Sequence, residues 1–227
     1  MKNFILSITL FFTVFTQSFS HEDHYQNLNS LEYELFRNNK LIGYHNYKFK
    51  QNKEYLKVES TIEFKISKLG VDLYKYDAVS EENYKNNQLI KFTSRTNQNK
   101  KLKNTKINYD QIKDKLFITG SKNNLISPKE YPVGTWWNHE IVQAKAQISA
   151  ISGRIIEQKV TFLGKEKLNL YGKNYDALRF NFASSDKSLP DKKKLNTDVW
   201  YDENTNLWLK AAFNKTGRWE YRLKRYN

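Results

Sequence analysis

Leu56-Lys57-Val58-Glu59-Ser60-Thr61-Ile62-Glu63-Phe64-Lys65-Ile66 alternates with a period of two. Its even positions are apolar except for Ser60, and its odd positions are charged or hydroxylated. Successive side chains of an extended strand point to opposite faces, so this stretch is a half-buried β-strand with its even face inward. The same alternation returns at Leu207, Leu209, Ala211, Phe213 and at Trp219, Tyr221, Leu223. Weaker versions run from Leu31 to Phe36, Tyr44 to Phe49, Val71 to Tyr84, Leu89 to Thr96, Ile155 to Leu163 and Asp176 to Phe182. Asn38-Asn39, Asn86-Asn87 and Lys173-Asn174 between runs can supply the positive φ of tight hairpins. Short strands joined by brief turns predict a mainly β protein, an antiparallel meander.

One segment departs from this period. Trp137, Ile141, Ala144, Ile148 and Ile151 are spaced four, three, four and three, a helical stripe, with Gly153 placed to end it. The spacing predicts one short helix over about Trp137 to Ala146. Ser184 to Lys194 reads as an exposed loop. Near the C-terminus, a hairpin loop at Asp202 to Asn206 centred on Asn204 would set Trp200 opposite Trp208 and Asp198 opposite Lys210. Both tryptophans would then share one face. A three-residue loop, Lys215-Thr216-Gly217, would set Phe213 opposite Trp219 and Ala211 opposite Tyr221.

Met1 to Ser20 has the layout of a cleavable secretory signal: Lys2 at the start, an apolar run from Phe4 to Phe15, and small residues at Ser18 and Ser20. The run is shorter than the roughly 20 residues of a membrane span. The expectation is a periplasmic or secreted protein with a single β domain from 21 to 227 and no transmembrane segment after cleavage. Cysteine is absent, so neither disulfides nor a lipid-bearing cysteine are available and stability must come from packing. A chain of this length can bury a sufficient core unaided. The formal net charge is +14. Its lysines are spread along the whole chain, which fits solubility and weak attraction to an anionic envelope surface. Export argues against nucleic acid as partner.

Signatures of serine hydrolases, nucleotide loops and zinc clusters are missing, and the sequence asks for no cofactor. His21 and His24 frame a short acidic pair that, with a free amine, could gather a metal ion, but a mobile polar terminus is the preferred reading. His45 and His139 read as surface or core-edge residues. Asp198-Val199-Trp200-Tyr201-Asp202 places Asp198, Trp200 and Asp202 on one strand face. The two carboxylates would stand about 13 Å apart, beyond the ~5–9.5 Å of a glycosidase pair.

Leu41-Ile42-Gly43, Trp136-Trp137-Asn138, Ser152-Gly153-Arg154, Asp198 to Asp202 and Trp208 occur in this order and spacing in a bacterial exported family. The chain resembles domain-of-unknown-function family 6134 over nearly all of its mature length. The resemblance implies a periplasmic protein with a long, curved antiparallel sheet, an open or half-closed barrel, and no known activity. It also implies a sheet design similar to lipoprotein carriers, whose half-barrels hold an acyl chain. The expectation is that a lipid or other apolar or amphipathic molecule, or an envelope partner, binds in the concave face, touching Leu56, Val58, Ile62, Phe64, Trp137, Trp200 and Trp208. Two alternatives stand beside it: an envelope hydrolase using Asp198, Asp202 or Glu140, and a structural envelope protein without a ligand.

Overall fold

The computed structural model describes Leu28–Asn227 apart from Lys122. The expected signal at Met1 to Ser20, and His21 and His24, lie outside the described residues. The chain forms β1 (Ser30–Arg37), β2 (Lys40–Gln51), β3 (Tyr55–Lys68), β4 (Val71–Lys85), β5 (Gln88–Gln98), β6 (Lys101–Asp110), β7 (Lys115–Gly120) and β8 (Asn124–Pro128). After a long connection follow β9 (Ala146–Ile148), β10 (Ile155–Leu170), β11 (Lys173–Ser184), β12 (Asn196–Asp202), β13 (Trp208–Asn214) and β14 (Arg218–Tyr226).

All fourteen join one antiparallel sheet in the order β8-β7-β6-β5-β4-β3-β2-β1-β14-β13-β12-β11-β10-β9. Every neighbour is consecutive in the chain except β1 and β14, which pair and tie the two ends together at the middle of the sheet. The fold is thus a mainly β, open, barrel-like meander. Leu56 to Ile66 lies in β3, with Val58 and Ser60 buried and Lys57 and Glu59 turned outward. Tight turns fall at Asn38-Asn39 and Asn86-Asn87, all with φ between 46° and 62°. The turn placed at Lys173-Asn174 falls instead two residues earlier, at Tyr171-Gly172 (φ 52° and 84°).

The long connection, residues 129–145, crosses the concave side as a strap. Here the expected helix is reduced to a 3-10 turn, His139–Gln143, capped by Asn138 Oδ1 on the Glu140 amide. The stripe residues Trp137, Ile141 and Ile148 are buried all the same. They reach the core through pins that pull the backbone out of helical geometry. Tyr47 Oη donates to the Thr135 carbonyl (2.7 Å) and Tyr201 Oη to the Trp136 carbonyl (3.0 Å). Gln158 Nε2 donates to the Ile141 and Ala144 carbonyls (3.1 and 3.0 Å), and the chain then pairs with β10 as β9. Tertiary hydrogen bonds thus override the local periodicity.

The C-terminal register differs from expectation at one point. Phe213 faces Trp219 and Ala211 faces Tyr221, across the loop Lys215-Thr216-Gly217. But Trp200 faces Lys210 while Tyr201 faces Trp208, because β13 carries a bulge that inserts one extra residue. Trp208 therefore points into the barrel, stacked on Tyr33 at 4.1 Å. Trp200 points outward, between Lys210 and Arg179. The two tryptophans lie on opposite faces, and Asp198 is held by Arg179 and Asn181 instead of Lys210.

Outward does not mean exposed. The β10–β11 hairpin folds back across the outer face, where Tyr171 Oη bonds Glu34 of β1 and Lys173 Nζ bonds Tyr226 of β14 (2.6 Å). Trp200 is only 4% exposed. The sheet thus carries a large core inside and a smaller one outside.

Gly43 allows a close approach of β2 to β3. A Cβ there would sit 2.1 Å from the Glu63 carbonyl oxygen and 2.4 Å from Phe64 Cβ on β3. Strand backbone cannot swing aside as a flexible side chain can. Gly43→Ala is expected to destabilise by about 1–3 kcal/mol, read from the urea midpoint; an unchanged midpoint would show that β2 and β3 have slack there.

Candidate functional site

Strands β2 to β5 and β14, with the strap, line a partly open cavity of about 250 Å³. His45 of β2, Ser60 and Ile62 of β3, Tyr76 of β4 and Thr96 of β5 form the sheet side. Thr135 and Trp136 of the strap and Tyr221 of β14 face them. Parity explains the sheet side: the odd residues of β2 and the even residues of β3 and β4 are the inward ones.

His45 is buried among rings, with Tyr47 at 4.3 Å, Tyr221 at 5.8 Å and Trp208 at 6.0 Å between centroids. One ring nitrogen, Nε2, pairs with Ser60 Oγ at 3.0 Å. The other, Nδ1, has no hydrogen-bond partner. Burial lowers the imidazole pKa to about 3, so the ring is neutral at physiological pH. The expectation of a surface or core-edge residue is corrected: His45 shares the inward parity of Tyr47 and Phe49, a signal legible in Tyr44 to Phe49.

Trp136 stands opposite with φ 59°, a left-handed conformation that a bulky residue adopts only when held there. The bond from Tyr201 to its carbonyl and edge contacts with Trp208 (5.7 Å) and Tyr221 (5.9 Å) supply the hold. Its indole Nε1 is buried and without a partner, as is that of neighbouring Trp208. Burial also pushes the Tyr221 hydroxyl up to about 12. The cavity is therefore lined by neutral polar groups set among rings.

A second polar group lies deeper. Glu82 of β4 is buried and accepts from Tyr84 Oη (2.6 Å) and Trp137 Nε1 (3.0 Å), fastening the strap to the sheet. Burial raises its carboxyl above the ordinary range, against hydrogen bonds that favour the ion. Its even parity with Tyr76 and Tyr84 marks it as inward, a charge on an otherwise uncharged face.

The sequence-selected residues divide. Ile62 lines the cavity, and Trp208 touches His45 and Trp136 from behind its wall. Val58 is buried and Leu56 half-buried in the same core, and Phe64 stacks on Tyr76 at 4.8 Å. Trp137 packs on Phe49 and Tyr84 beneath the strap. Trp200 belongs to the outer face and is not among these. Of the carboxylates considered for hydrolysis, Asp198 pairs with Arg179 (2.5 Å), and Asp202 caps its own turn through the Asn204 and Thr205 amides. Glu140 is the second residue of the 3-10 turn of the strap. Among the described residues no group of three or more His, Cys, Asp or Glu could hold a metal ion, and no helix is long and apolar enough to cross a membrane.

The family model "Domain of unknown function (DUF6134)" matches residues 33–224. The chain belongs to this family. The matched span takes in all of the cavity wall, so the pocket is built within the DUF6134 domain itself. A similar solved structure is that of a beta-barrel-like protein of domain of unknown function DUF1849 from Brucella abortus. The likeness has a TM-score of 0.63 at 11% identity and covers 88% of this chain and 98% of that one. At that identity the DUF6134 chain and its neighbour share a fold, and the likeness extends no further. No curated protein matches the sequence.

Proposed function

We propose that this is an exported envelope protein that holds a small, neutral, amphipathic molecule in the cavity beneath the strap. The observation that carries the reading is a pair of buried, unpartnered polar atoms, His45 Nδ1 and Trp136 Nε1, on residues of facing cavity walls. Leaving such a group unmet costs about 1–3 kcal/mol, a cost that a bound oxygen would remove. An indole N–H can only donate, so the ligand must offer an acceptor: a hydroxyl, ester or amide oxygen.

Charge and size narrow the class. Among the described residues no lysine or arginine lines the cavity, and His45 is neutral, so a carboxylate would be buried without a counter-charge. The volume of about 250 Å³ corresponds to roughly eight waters at ~30 Å³ each. That suits a short aliphatic alcohol or ester better than a complete long-chain lipid.

Trp136 and Trp208 make the site readable by intrinsic fluorescence. Titration with 1-octanol at neutral pH should give a saturable change, and octanoate should bind at least roughly tenfold more weakly. His45→Phe should weaken octanol binding about fivefold, the value of one hydrogen bond. A linear, non-saturating response to octanol, or tighter binding of octanoate, would remove the reading.

A further inference from the structure

The β3–β4 hairpin ends in Leu69-Gly70, a two-residue turn with both φ positive (51° and 78°). The chain builds similar turns elsewhere from Asn38-Asn39, Asn86-Asn87 and Asn99-Lys100, and from Tyr171-Gly172, whose tyrosine is tied to Glu34. Asparagine adopts this conformation readily; leucine does so at a steric cost. Packing does not explain the choice either, since Leu69 is 95% exposed. At this turn the sequence places a leucine where backbone geometry and solvent both disfavour it.

Leu69 has apolar company. Val71, Leu73 and Leu102 are all exposed. Leu73 continues the outward parity of Asp77, which pairs with Asn97, which in turn pairs with Leu102; Val71, beyond the bulge between Ile66 and Ser67, pairs with Lys68 and turns to the other face. Leu73 and Leu102 therefore belong to the outer face at this end of the sheet, with Val71 exposed beside the tip on the other side. Because β4 pairs with β5 only from Tyr76 onward, the Leu69 tip projects past its neighbour. The Asn99 amide bonds the Lys75 carbonyl (2.8 Å), which sets the β5–β6 turn beside the projecting segment. Cations flank the apolar apex on both hairpins: Lys65, Lys68 and Lys75 on one, Lys100, Lys101 and Lys103 on the other. Of the nearby carboxylates, Asp72 is engaged by Ser67 and Lys65, and Asp77 by Asn97.

We propose that these two hairpin tips dock on the surface of an anionic lipid bilayer, with Leu69 entering the headgroup boundary and the lysines meeting lipid phosphates. An apolar apex flanked by basic residues suits the two attractions of such a surface, which are burial of aliphatic area and neutralisation of surface charge. The scattered positive charge of the chain acquires a local role here that its even spread along the sequence conceals. Docking of this kind is independent of any ligand in the cavity.

Co-sedimentation tests it with soluble protein recovered from a periplasmic fraction. The wild type should pellet with phosphatidylglycerol vesicles at low salt, and should be released at high salt as the charges are screened. It should stay in solution with phosphatidylcholine vesicles. Leu69→Asn should lower the partition coefficient roughly tenfold without lowering the melting temperature, because asparagine suits the turn. Wild type that stays in solution with both vesicles, or Leu69→Asn that partitions like wild type, overturns the proposal. So does a change in self-association of the protein alone on Leu69→Asn, which would make the tip an interface between copies.

Discussion

Trp137→Ala is expected to cost about 4 kcal/mol and to lower the melting temperature by roughly 10 °C. Trp137 is fully enclosed, with ring contacts at 5.4 Å to Phe49 and 5.8 Å to Tyr84. Truncation removes the largest buried side chain of the strap and leaves a cavity that the pinned backbone cannot collapse into. It also takes the indole N–H from Glu82. Trp137→Phe narrows the effect, since it keeps an aromatic ring in the site and loses the donor with part of the indole's volume; about 1–3 kcal/mol is expected.

The pH dependence of that variant follows from Glu82. Burial holds its folded carboxyl above the ordinary value. Stability linked to such a group is complete below the unfolded value of about 4.3 and is lost as pH rises through the folded value. Removing the Trp137 donor raises the folded value further. Trp137→Phe should therefore fall short of wild type by more at neutral pH than near pH 5. Equal deficits at both pH values would mean that Trp137 acts by packing alone.

Period two in Leu56 to Ile66 and the asparagine turns place β2 to β6 with little ambiguity, because local geometry and burial agree there. The strap was not legible. Its apolar stripe has helical spacing, but Tyr47, Tyr201 and Gln158, distant in the chain, take its carbonyls. Trp208 illustrates a different limit. A bulge inserts one residue and reverses parity, and its only trace in sequence is three consecutive apolar residues, Leu207-Trp208-Leu209, where alternation should hold. His45 and Glu82 were readable by parity. For His45 residue type misled instead, because a histidine looks like a surface residue until its inward neighbours Tyr47 and Phe49 are counted. Ile62 was found at the cavity because it obeys the simple rule; Trp136 was hidden in the strap.

Glu220→Ala is expected to cost about 3–5 kcal/mol, the range for breaking a buried ion pair on one side. The carboxylate lies on the outer face of β14, almost without solvent contact. Arg222 grips it through Nε (2.7 Å) and Nη2 (2.5 Å), Arg218 reaches it at 2.6 Å, and Lys210 stands at 3.6 Å. Lys210 is only 15% exposed and its ammonium rests over the Trp200 ring at 4.8 Å. Burial lowers the Lys210 pKa, and Glu220 is the carboxylate that opposes that shift most. Removing Glu220 thus strands a partly buried cation beneath the folded-back hairpin. For Glu220 itself burial pushes the carboxyl up, but the Arg222 hydrogen bond and the charges of Lys210, Arg222 and Arg218 together bring it below its ordinary value. A depressed acid contributes stability that is present above the unfolded value and lost as pH falls through the folded one. Wild type should therefore exceed Glu220→Gln at neutral pH and converge with it below about pH 4, the opposite sense to Glu82. Urea melts of both proteins across that range decide the matter: a gap that persists or widens in acid would mean that Glu220 holds its neighbours by shape and hydrogen bonding, with its charge contributing nothing.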